Sequence, residues 1–122
     1  GGESASVLGK TVYIGFDDTK PTFYAQTASK GHDKHHEKHA KEMGLSMKAW
    51  KRQAAELLNA KHCSDYLEWV NEDGDCSRYD LQSKRLVVGN AEGMIKTYFP
   101  LDRSRLKYFI PEKLLAKTPH KK

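Results

Sequence analysis

The chain has 122 residues, a formal net charge of +5, 38% hydrophobic residues and 30% charged residues. That is enough for one domain and hardly for two, and too apolar for a disordered polyelectrolyte. No apolar run approaches the roughly 18 residues of a membrane span, and no stretch has the layout of a signal peptide.

Lys and Arg outnumber Asp and Glu by 21 to 16, which suits a polyanionic partner without requiring one. The opening GGESAS reads as a linker, so the natural protein is expected to be longer. Residues 1–30 form a lead-in with one strand-like run, Thr11 to Phe16, followed by the turn-rich DDTKPT. It is expected to pair with the main sheet or cross its back. Residues 31–122 are the expected working domain.

Asp33 to Met43 has helical composition, and Gly44 suits a left-handed C′ position. Ser46 is a good N-cap for a second helix. Leu45 before it and Trp50 after it fit a hydrophobic staple. Met47, Trp50, Ala54, Leu57 and Leu58 recur at the spacing of an amphipathic helix. The period then changes. YLEWVN is strand-like, Asp73-Gly74 is a short-hairpin signal, and CSRYDL is the partner strand. RLVVGN and MIKTYFP follow as a third and fourth strand, the latter ended by Pro100. Leu106–Ile110 is expected to add one more short strand before the basic tail. Helices followed by a strand meander give an α+β domain with the helices packed on one sheet face. Cys63 and Cys76 lack zinc-finger spacing. They are either free thiols or one facultative bridge, with free thiols favoured.

The segment GHDKHHEKHAKEMG, Gly31 to Gly44, holds four of the six histidines. On a helix, residues three and four apart share a face. His36, Ala40 and Met43 then form the docking stripe, with His39 at its edge, and Lys34, Lys38 and Lys41 form a basic stripe. Three readings compete. The first is a solvated polar helix, the commonest fate of a charge run. The second is a metal site using the His32/His36 and His35/His39 pairs, which needs further ligands from His62 or His120. The third is acid–base catalysis at neutral pH with lysines holding a phosphate.

The motif KHAKEMG resembles the histidine helix of the colicin D-type tRNase domain and its relatives among contact-dependent growth inhibition toxins. CSRYD and EGMIKTYFP resemble that family's later strands in the same order, and the likeness spans roughly residues 32–100. The resemblance implies N-terminal helices on a twisted antiparallel sheet of four to five strands, the barnase/EndoU/colicin/RelE type. It implies a metal-independent, cofactor-free endoribonuclease that cleaves tRNA in a competing bacterium, delivered as part of a larger secreted or cell-surface effector. It also implies an immunity protein, expected to be acidic, and leaves room for a host translation elongation factor.

By that resemblance His39 is the general acid or base and Lys38 neutralises the phosphate. His36 is a second proton-transfer group or phosphate ligand, and His35 is a weaker candidate. Arg78 would aim its planar donors at the scissile phosphate, and Thr97 would bind a phosphate oxygen. Phe99 shares a strand face with Thr97 and Tyr98 points the other way, so one of the two aromatics is expected to reach the site. Each residue also has an ordinary structural role open to it. Arg78 could pair with a cross-strand carboxylate, Thr97 is a common strand former, and Phe99 could be core. A non-catalytic RNA-binding module is the remaining alternative.

Overall fold

The computed structural model describes residues 21–28, 33–71 and 73–110. The expected strand at Thr11–Phe16 lies outside them, as do His32 and His120. Two helices, α1 (Asp33–Glu42) and α2 (Met47–Asn59), precede four strands: β1 (Tyr66–Val70), β2 (Cys76–Asp80), β3 (Arg85–Gly89) and β4 (Ile95–Pro100). The strands form one antiparallel meander in the order β1-β2-β3-β4. No helix among the described residues is long and apolar enough to cross a membrane.

The corner between the helices follows from local chemistry. Gly44 takes a φ of +71°, which a side chain would resist. There its N–H donates to the Lys41 carbonyl and that of Leu45 to the Ala40 carbonyl, closing α1 as a Schellman motif. Two residues on, the Ser46 hydroxyl accepts from the Ala49 N–H at 3.1 Å and caps α2. Leu45 and Trp50 then pack in the same apolar cluster, as a staple requires.

Two cores share the sheet. On the helix side Trp50, Ala54, Leu58 and Ala40 pack on Cys76, Val87, Ile95 and Tyr98. On the other side Leu67, Trp69, Tyr79 and Leu86 are covered by Leu101, Leu106 and Ile110. This cover is a 3₁₀ helix, Arg103–Tyr108, where a fifth strand was expected. The reason is local: the Asp102 carboxylate accepts from the Ser104 N–H at 3.0 Å and turns the chain. Cys63 lies on the surface and Cys76 in the core, and the two are not bridged to each other.

Part of the lead-in belongs to the body. Residues 24–28 run beside the start of β4, with a parallel bridge from Thr27 to Ile95. Phe23 is 3% exposed. The Asn59 side chain holds it by accepting from its N–H at 2.8 Å and donating to its carbonyl at 2.9 Å. The ring sits in a space that exists because position 89 has no side chain. A Cβ on Gly89 would fall 2.7 Å from Phe23 Cδ1 and 2.9 Å from Leu58 Cδ1. Gly89→Ala is therefore expected to cost about 1–3 kcal/mol as an overpacking change, read as a lower urea midpoint. Adding Phe23→Leu should recover part of that loss, because the two sites are in contact. An unchanged midpoint in Gly89→Ala would show that Phe23 does not occupy this space.

Candidate active site

Helix α1 packs against α2 and against the edge strand β4, and it straddles that edge. His36 turns inward on the helix side. It is 4% exposed and lies against Trp50, ring centroids 4.9 Å apart. His39, one turn on, reaches over the edge to the other face. Its ring stacks on Phe99 at 5.0 Å with 22° between planes. The two histidines thus serve different layers, and the expectation that His36 joins His39 in one site is corrected. Trp50 holds it in the core.

His35 takes that place. Its ring meets that of His39 edge-on, with centroids 5.1 Å apart. The i,i+4 spacing sets this contact directly. Glu42, three residues beyond His39, places Oε1 3.4 Å from its Nδ1. That is long for a hydrogen bond, and the Glu42 carboxylate flanks the Nδ1 side of the ring. The His39 side chain is 17% exposed, so it is screened from bulk solvent without being sealed. Lys34, Lys38 and Lys41 line the exposed side of the same helix.

Past a register shift opposite Val88 and Gly89, which leaves Ile95 and Tyr98 on the same side, strand β4 sorts its residues by alternation. Thr97 pairs with Val88 and Phe99 with Leu86, on the face opposite the helices. Thr97 is therefore on the face that His39 overhangs. Tyr98 is on the helix side, 3% exposed, with its carbonyl accepting from Trp50 Nε1 at 2.9 Å. Its hydroxyl lies 3.2 Å from Gln53 Oε1 and 3.0 Å from the Arg85 guanidinium. Phe99, not Tyr98, is the aromatic that reaches His39. Phe109 packs on it in turn, with centroids 5.6 Å apart.

Arg78 is not part of this constellation. It is fully buried, on the helix side, directly across from Glu68 in the β1–β2 register. Its Nε and Nη2 each lie 2.7 Å from Glu68 Oε2. Its Nη1 donates to the Leu57 carbonyl at 2.9 Å and also to the Ala60 carbonyl. These carbonyls close α2, where a cation is favoured by the helix dipole. The Tyr66 ring covers the guanidinium at 4.8 Å. A phosphate has no approach to it, so the expectation that Arg78 faces the substrate is corrected: it joins α2 to the sheet. The cross-strand carboxylate was the role its position on a strand left open.

Glu68 was not singled out from the sequence, and His62 only as a possible further metal ligand. Glu68 is fully buried and its second oxygen bonds His62 Nδ1. A strand glutamate gives no local sign of burial; only the register reveals it. Glu42 could have been found from its i,i+3 spacing to His39. Phe109 carried no such sign. Among the described residues no three His, Cys, Asp or Glu side chains are arranged to hold a metal ion. No protein-family model matches the chain, and neither does a curated protein or a solved structure.

Burial pushes the Glu68 carboxyl up from its ordinary value, against the opposing pull of Arg78 and His62. A carboxyl raised on folding stabilises most below its unfolded value, and that contribution fades as pH rises through the folded one. Without the guanidinium, a charged Glu68 would be buried with only His62 beside it. Arg78→Met is therefore expected to lose about 3–5 kcal/mol near pH 7.5 and clearly less near pH 4.5, where Glu68 takes up a proton. Urea melts of both proteins at the two pH values measure this. An equal loss at both would show that the pair is not held as ions.

Proposed function

We propose that this chain is the ribonuclease domain of an antibacterial toxin, cleaving tRNA without a metal ion. The observation that carries the reading is the pair His35 and His39, two imidazoles in contact on a lysine-rich helix, with His39 laid on Phe99 and flanked by Glu42. Metal-free RNA cleavage needs this equipment. One imidazole takes the proton of the ribose 2′-OH, and that oxygen attacks the neighbouring phosphorus. The P–O5′ bond breaks, and the second imidazole gives its proton to the departing oxygen. The products are a 2′,3′-cyclic phosphate and a 5′-OH.

Lys38 and its neighbours on α1 supply the cations that favour the extra charge of the phosphorane. Thr97, on the strand face beneath His39, supplies a hydroxyl for a phosphate oxygen. The order of the KHAKEMG, SRYD and KTYF motifs supports the same reading by its likeness to colicin D-type and contact-dependent growth inhibition toxins. Under this reading the domain is carried into a target cell by a larger effector, and a host elongation factor is a further partner to test. An acidic immunity protein would neutralise it by covering the basic helix.

The test is incubation with total tRNA in EDTA, with the new ends mapped. Discrete fragments ending in 2′,3′-cyclic phosphate are expected, and DNA of the same sequence should stay whole. His39→Ala should slow cleavage by about 10²- to 10⁴-fold with little change in melting temperature. His36→Ala should instead lower the melting temperature, since its ring fills the core beside Trp50. Intact tRNA with folded wild-type protein would refute the proposal.

A further inference from the structure

Beyond His39 and Phe99 the ring contacts continue into the 3₁₀ turn that covers the second core. Phe109 packs on Phe99 yet is 44% exposed, and Tyr108 beside it is 69% exposed. Leu106 and Ile110 on the same turn are buried. The turn is thus anchored by its aliphatic residues and holds its two aromatics outward. Cations flank them: Arg105 Cζ lies 5.8 Å and Lys107 Nζ 5.6 Å from the centre of the Tyr108 ring. Adjacent exposed rings cost free energy in water, and two cations at one ring add positive charge where a partner would dock. Flat rings interleaved with cations suit bases and phosphates of a single strand.

We propose that Tyr108 and Phe109 form a base-stacking platform for single-stranded RNA, with Arg105 and Lys107 holding its phosphates. The inference rests on the ribonuclease reading for its substrate and deepens it. Phe99 is in contact with both His39 and Phe109, so a base stacked on the turn belongs to a nucleotide close to the bond being cut. The domain would therefore select an unpaired loop over a helical stem, since paired bases cannot offer their faces.

The test uses the full chain and a fluorescent single-stranded DNA oligonucleotide, which lacks the 2′-OH and is not consumed. Tyr108→Ala and Phe109→Ala are each expected to weaken binding by about 5- to 150-fold, whereas Tyr108→Phe should bind as wild type. Arg105→Ala and Lys107→Ala should each lower the salt dependence of binding by about one counterion. On tRNA, Tyr108→Ala should raise KM far more than it lowers kcat. Tyr108 is mostly in solvent, so its variant keeps the test valid if Phe109→Ala fails to fold. Oligonucleotide binding unchanged in Tyr108→Ala, or no binding by the wild type at low salt, overturns the platform. Binding that depends on Tyr108 in a protein that cuts no tRNA would support the platform and refute the ribonuclease reading alone.

Discussion

The buried pair of Arg78 and Glu68 is the interaction on which the remaining architecture depends. It joins the last turn of α2 to the two strands that follow it. All three guanidinium nitrogens of Arg78 and both carboxylate oxygens of Glu68 have a partner, in each other or in His62, Leu57 and Ala60. An ion pair in such surroundings contributes little net stability against an apolar replacement, but removing one member is severe. Its effect is geometric. With the end of α2 fixed to β2 through Arg78, the helix packs across β2, β3 and β4, Trp50 lies over Tyr98, and the Gly44 corner then delivers α1 to the far edge of the sheet. The position of the histidines is thus set by a contact on the opposite side of the domain.

The straddling of the β4 edge gives α1 two functions that a helix lying flat on a sheet could not combine. His36 and His39 are only about 60° apart around the helix axis. On a flat face both would meet the same surface. Here the strand edge passes between them. One ring becomes part of the packing and the other is available for chemistry. The edge is covered at its start by residues 24–28 and further along by α1, so the strand is also protected from pairing with another chain.

Local features were legible in the sequence. The α1 docking stripe, the Gly44 and Ser46 caps and the four strands all follow from spacing and turn chemistry, and the structure has them. What was not legible depends on distant placement. Asp73-Gly74 taken as a two-residue turn would set Arg78 opposite Trp69. The chain instead closes with the Gly74 N–H donating to the Asn71 carbonyl and Asn71 N–H to the Asp75 carbonyl. This longer loop shifts the register by one, and the shift brings Arg78 to Glu68. Likewise, the i,i+4 contact of His35 and His39 was present in the spacing. The docking stripe also turned His36 toward the core; that His39 would meet the opposite face of the sheet, on Phe99, depended on where α1 met the strand edge.

The two-core construction has a spectroscopic consequence. The chain contains two tryptophans, and the sheet separates them. Trp50 belongs to the helix-side core, against His36 and Tyr98, while Trp69 belongs to the core beneath the 3₁₀ turn. Each layer thus carries its own optical reporter. Replacing one tryptophan by phenylalanine leaves a protein whose emission follows a single layer, so the lysine-bearing helix layer and the aromatic turn layer can be watched separately as a ligand binds.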